Sequence, residues 1–356
     1  MWRVIIMAKI YSLLVSHVDC SLTALGEPIG FLGPTIVEQP NRKDDDLKLV
    51  TDAINAQKLS PDLVNLIASR TADQRAAIDA AYLKATGKSI STAVNSFLSE
   101  KGHSGSRYLF YGFFLTLPYY LAFEIRGSLD RGGSTKDWTY MSIICTSSAT
   151  KLKAISDAYM AVNGVSLNDD INMVGKAGRP VYQKMVDPKT MRPDNGTDKT
   201  KVDEQFALLP TEKTSGSCHD VALEDFLTSA SFAQIKLVVE KYNGVPDSSG
   251  KPLADEMKKK CKKGLMQEIY KRIVRYAAAP YEYLAEEFYL GMNADIHNKN
   301  AHRYQLIARS EIDLQDIILR YCMLFDHNPE EDMESWTKNE YRDLFHAVLK
   351  GNRPKE

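Results

Sequence analysis

The chain has no two cysteines at CxxC spacing, no excess charge of either sign, and no apolar run near the roughly 20 residues needed to span a bilayer. Each lack excludes something. The five cysteines, Cys20, Cys145, Cys218, Cys261 and Cys322, are scattered and odd in number. That pattern argues against a zinc site or a disulfide framework, and it predicts reduced thiols in a cytosolic setting. A net charge of −1 gives no global attraction to nucleic acid, so any affinity for polyanions has to come from a local patch. Alternating strand patterns are almost missing, which leaves helices to build the core.

Catalytic motifs are also lacking. ATGKSI (85–90) ends like a phosphate-binding loop, but the glycine required five residues before Gly87 is Tyr82. GHSGS (102–106) lacks the spacing of a nucleophile elbow and follows no strand. None of the seven histidines forms HExxH, and His297 and His302 stand five apart. The expectation is a binding protein, not an enzyme. MWRVIIMAKIYSLLV (1–15) has an early Arg3 and apolar patches, but Lys9 interrupts it and no small-residue cleavage site follows. It is therefore not expected to be a secretory leader.

What is there is a repeat. IASRTADQRAAIDAAY (67–82), ICTSSATKLKAISDAY (144–159), LTSASFAQIKLVVEKY (227–242) and LIARSEIDLQDIILRY (306–321) align on a final tyrosine, with spacings of 77, 83 and 79 residues. Eleven residues before each tyrosine stands a hydroxyl: Thr71, Ser148, Ser231 or Ser310. Such residues are favoured helix N-caps, and Gln74 and Gln234 three positions on complete the pattern of a capping box. Ile78, Ile155, Val238 and Ile317 precede the tyrosines by four and share their face with Leu152, Ile235 and Leu314; Arg75 is the exception in the first copy. PYYLAFEI (118–125) and PYEYLAEEF (280–288) open further helices on a proline, and YRDLFHAVLKG (341–351) closes one on a glycine. The pattern gives an all-α chain. It has a head at 1–46, repeats at 47–117 and 118–186, a polar linker at 187–204, and repeats at 205–278 and 279–352.

APYEYLAEEFYLGM (279–292) with LIARSEIDLQDI (306–317), and IASRTADQRAAIDAAYLKATGKSI (67–90), resemble the fourth and first repeats of the annexin family. The long inserts and eroded loops are similar to the divergent protozoan branch, the alpha-giardins. The resemblance spans about residues 45–352. It implies four repeats of about five helices each in a slightly curved disc, whose convex face binds acidic phospholipid through calcium. Each family site takes carbonyls from a K-G-x-G-T-D loop and a carboxylate about 40 residues further on, a donor set that suits a hard cation seeking six to eight oxygens.

The loops here depart from that pattern. NAQKLSPD (55–62) and NADIHNK (293–299) have no glycine, and EKTSGSCHD (212–220) keeps only Gly216. DRGGSTKD (130–137) is the nearest survivor, and it makes Asp130, Gly132, Gly133 and Ser134, with Asp169 or Asp170, the implied metal ligands. The distal carboxylate positions read Phe97, Val174, Lys260 and Trp336; Glu100 lies near the first of them. Calcium dependence is therefore expected to be weak or atypical.

Lys260 belongs to MKKKCKKG (257–264), where Lys258, Lys259, Lys260, Lys262 and Lys263 concentrate positive charge on an otherwise neutral chain. The expectation is direct attraction to acidic lipid or a sulfated glycan, against the plain alternative of a solvated helix face. Trp336 and Trp138 are candidate interfacial anchors, against the alternative of ordinary packing. The resulting expectation is a cytoplasmic protein, peripheral at the inner face of the membrane. The alternative is a scaffold on cytoskeletal filaments or partner proteins that works without calcium.

Overall fold

The computed structural model describes residues 32–40, 42–100, 104–131, 138–174, 178–245, 249–293, 300–336 and 340–353. Among them are twenty α-helices and no strand. The expected head falls mostly outside the described residues, as does all of segment 1–15; the remainder of the head runs into the helix Lys43–Asn55.

The four aligned segments are helices at Ala72–Thr86, Ala149–Asn163, Phe232–Asn243 and Leu314–Phe325. Tyr82, Tyr159, Tyr242 and Tyr321 are buried, and so are the four aliphatic residues one turn earlier. Three of the helices stop at a left-handed glycine (Gly87, Gly164, Gly244), and the fourth stops at Asp326 in the same conformation.

The N-termini are less uniform than the hydroxyl pattern predicts. Thr71 forms a complete capping box with Gln74. Ser231 accepts from the Gln234 amide at 3.0 Å, but the Gln234 side chain bonds the backbone of Asp198 instead of closing the box. Ser148 turns its hydroxyl to Asp194, and that carboxylate takes the Thr150 amide. Ser310 caps nothing. Its hydroxyl donates to Ile307 O, its carbonyl receives the amides of Thr35 and Ile36, and the helix starts only at Leu314.

Two compact units emerge. The first comprises residues 1–120, 288–293 and 302–356; the second comprises 121–287 and 294–301. The polar segment 187–204 lies wholly in the second unit. There Arg192, 1% exposed, donates to Leu227 O and Ala230 O at the end of the helix Val221–Ser229, with its guanidinium 4.3 Å from the Phe232 ring centre. In the first unit Arg75 does the same for the aligned carbonyls, Ile67 O at 3.2 Å and Arg70 O, and it pairs with Glu311 at 2.8 Å. The last carbonyls of a helix have no intrahelical partner, and a buried guanidinium with several donors satisfies two at once. Arg75 thus breaks the apolar face of its helix for a structural reason.

The core of the second unit holds a further ionic cluster. Arg272, 1% exposed, meets Glu287 at 2.5 Å, the Tyr283 hydroxyl at 2.7 Å and the Ser142 hydroxyl at 2.8 Å. Burial opposes the charge, but the Glu287 carboxylate and its hydrogen bond hold the guanidinium protonated.

Candidate functional site

In the second repeat, two of the carboxylates expected to bind metal, Asp130 and Asp170, pair with an arginine. The helix Leu117–Asp130 presents Arg126 one turn before Asp130, and the guanidinium pairs with Asp130 at 3.0 Å and with Asp170. Asp170 also accepts from the Tyr159 hydroxyl at 2.7 Å. Burial first, then this carboxylate, push the Tyr159 phenol up. Asp169 is exposed and bonded to the Ser166 hydroxyl at 2.6 Å. Gly132, Gly133 and Ser134 lie outside the described residues.

The fourth repeat reproduces the Tyr159–Asp170 pair. Tyr321 donates to Asp332, eleven residues on, and His327 lies 2.8 Å from the same carboxylate. Acids at this repeat position therefore serve the tyrosine, and they lie out of register with the distal calcium ligand.

Phe97 and Val174 are buried apolar residues, and Glu100 is exposed at the end of the helix Ile90–Glu100. Trp336 ends the helix Pro329–Trp336, and its side chain lies outside the described residues. Trp138 caps the helix Thr139–Cys145 and is half-buried, with the Arg272 guanidinium 5.4 Å from its ring. Among the described residues no group of three or more His, Cys, Asp or Glu is placed to hold a metal.

The third repeat holds the most developed surface. The helix Lys251–Lys260 buries Leu253, Ala254 and Met257 and ends on Lys258, Lys259 and Lys260. Lysines in a last helical turn are favoured by the exposed carbonyls there. The chain then becomes extended at Cys261, whose amide donates to Met257 O at 2.8 Å. Gln267, on the helix Leu265–Ala278, donates to Lys258 O at 2.7 Å and Cys261 O at 3.1 Å. All five lysines are exposed. Lys259 lies 3.6 Å from Glu256; the other four form no ion pair with a described residue.

Cys261 points the other way. It is buried and joined by a disulfide to Cys218, with 5.6 Å between the Cα atoms. Cys322 is disulfide-bonded as well, while Cys145 is a free buried thiol. The expectation of unlinked thiols is thus corrected. Distance along the sequence does not limit pairing where helices bring remote loops together.

The loop carrying Cys218 is ordered by its own contacts. Thr214 donates to Leu209 O and meets the Thr211 hydroxyl at 2.9 Å. Gly216 packs so closely that a Cβ there would stand 2.0 Å from Leu208 O, so only glycine fits. Asp220 then caps the helix Val221–Ser229 through the Ala222 amide at 2.9 Å. The disulfide therefore ties this loop directly to the lysine segment.

No family model matches the chain. Mouse annexin A13 is 22% identical over 289 residues, covering 81% of this chain and 88% of that protein. Among solved structures, annexin III superposes with a TM-score of 0.78 at 21% identity, covering 91% of this chain and 99% of its own. Calcium-bound alpha-14 giardin superposes with a TM-score of 0.67 at 15% identity, over 86% and 99%. The fold is the annexin fold. In sequence the chain is similar to annexins at low identity.

Proposed function

We propose that the chain is a peripheral binding protein for acidic phospholipid surfaces, in which lysines of the third repeat contact the headgroups directly. The reading combines the annexin likeness with one observation: five exposed lysines on an anchored segment, four of them without an acidic partner among the described residues. Each lysine near an anionic leaflet contributes about 1 kcal/mol, so several acting together suffice for reversible attachment. Among the described residues no helix is long and apolar enough to cross a membrane. Attachment by charge at the inner, cytoplasmic face accords with that. Calcium is at most an accessory here, because Arg126 neutralises the carboxylates of the second repeat and a lysine replaces the carboxylate of the third. The role is binding without catalysis.

The test is co-sedimentation with phosphatidylserine vesicles in chelator across a salt series. Binding is expected at low ionic strength. It should fade as the screening length falls to about 8 Å near physiological salt. Replacing Lys258, Lys259, Lys260, Lys262 and Lys263 by glutamine should abolish it. Binding that needs calcium and ignores these lysines would overturn the reading. Absence of binding in every condition would leave the cytoskeletal scaffold, and binding to a sulfated polysaccharide alone would move the partner from lipid to glycan.

A further inference from the structure

We infer that the Cys218–Cys261 disulfide is a reducible clasp controlling the lysine surface, an inference that rests on the lipid-binding reading. Three observations carry it. The bond joins two loops 43 residues apart in sequence, one of them the segment that bears the lysines. Cys261 stands in the middle of that segment, so its covalent anchor fixes the direction in which Lys260 and Lys262 leave the backbone on either side. Of the two cysteines, Cys218 is half-buried and within reach of solvent, while Cys261 is 7% exposed.

The annexin likeness implies that a bound ion ties these two loops in the family. Here the ion's carboxylate position is Lys260, and the tie is covalent. Fixing five lysines on one surface lowers the ordering cost of engaging a membrane, because the side chains are displayed before contact. With the bond open, Gln267 and the Met257 carbonyl alone hold the segment, and the turn after Lys260 gains freedom.

Opening proceeds by thiol–disulfide exchange at Cys218, the more exposed residue of the pair. A thiolate of a cellular dithiol attacks the Cys218 sulfur; the S–S bond breaks and Cys261 leaves as a thiolate, which then takes a proton. The second thiol of the reductant loses its proton, displaces the mixed disulfide and frees the Cys218 thiol. The protein gains two electrons and two protons, and the reductant becomes a disulfide.

Three samples test the clasp: oxidised protein, protein treated with a dithiol, and the C218S/C261S variant, which leaves Cys322 unchanged. Circular dichroism verifies that each is folded. Each is titrated with phosphatidylserine/phosphatidylcholine vesicles in chelator at low salt, and each is briefly digested with trypsin. The oxidised protein should bind about tenfold more tightly than the other two, the loss expected when one or two lysine contacts are given up. Tryptic cuts within 258–263 should appear sooner in the reduced protein and the variant. Equal affinity and equal cleavage in all three samples would overturn the clasp and leave the lipid reading intact. A variant that behaves like oxidised protein would also overturn it. Failure of the oxidised protein to bind vesicles would remove the lipid reading, and unequal cleavage rates would then support the clasp as a purely structural device.

Discussion

Arg126→Gln would leave Asp130 and Asp170 facing each other without their guanidinium. Because the arginine is partly exposed, the loss of stability should be modest, about 1 kcal/mol in urea denaturation. The informative result is the response to calcium. Melting of the variant should rise with millimolar calcium while that of the parent does not, since only the variant offers two unpaired carboxylates to a cation. His302 gives a second prediction. It is 1% exposed, receives or donates a hydrogen bond with the Tyr341 hydroxyl at 2.7 Å, and burial, then Arg303, push its pKa down to about 3 from 6.5. Between those values the unfolded chain binds a proton that the folded chain refuses, so stability should fall as pH drops from 6.5 towards 3. His302→Gln should flatten that limb of a plot of Tm against pH. The sequence alone could not have shown this, because burial decides it. Asp170 was legible as an acid near a metal position, but not as the partner of Tyr159; the recurrence of an acid eleven residues after Tyr321 was the available signal.

At the level of elements, most of what the sequence shows concerns apolar spacing, and that survives. All four repeat helices exist, with the tyrosines and aliphatic residues inward, because a wide apolar stripe tolerates no other orientation. Capping is less legible, since a hydroxyl has several acceptors to choose from and tertiary contacts decide among them. Thr71→Ala should cost about 1 kcal/mol, the usual effect of losing an N-cap, whereas Ser310→Ala should cost less at its helix start because Asp313 occupies that position. Chemical denaturation of the two variants makes the comparison. Gln74 and Gln234 illustrate the same point. Read as capping-box residues, they also hold earlier segments of chain, Gln39 at 2.6 Å and the Asp198 carbonyl at 3.0 Å. The lysine run was legible as a charge cluster; its anchoring by Cys261 and Gln267 was not, because both ties depend on neighbours brought close by folding.

For the molecule as a whole, the disulfide closes a loop of 43 residues, which in a chain-entropy account stabilises the fold by about 4 kcal/mol. C218S/C261S should therefore shift the urea midpoint downward, and dithiol treatment of the parent should shift it at least as far. Such a bond persists in an oxidising compartment and is transient in a reducing one. The cysteine count alone pointed to the reducing case, because neither loop reveals its neighbour until the repeat is folded.

The make-up of the first unit bears on how the chain is born. Asn352 donates to Val37 O and Ser69 O at 2.8 Å, and Asp316 receives the amides of Leu32 and Gly33. These contacts span 283 to 315 residues, whereas nearly all of the second unit comes from the continuous stretch 121–287. On the ribosome, at roughly 5–20 residues per second, the opening segment waits on the order of tens of seconds for its partners to be made. The middle of the chain has its own partners in hand much earlier. Nascent protein should thus fold from the middle outward, and the opening segment, with apolar residues such as Ile36 still uncovered, is where a chaperone would find it.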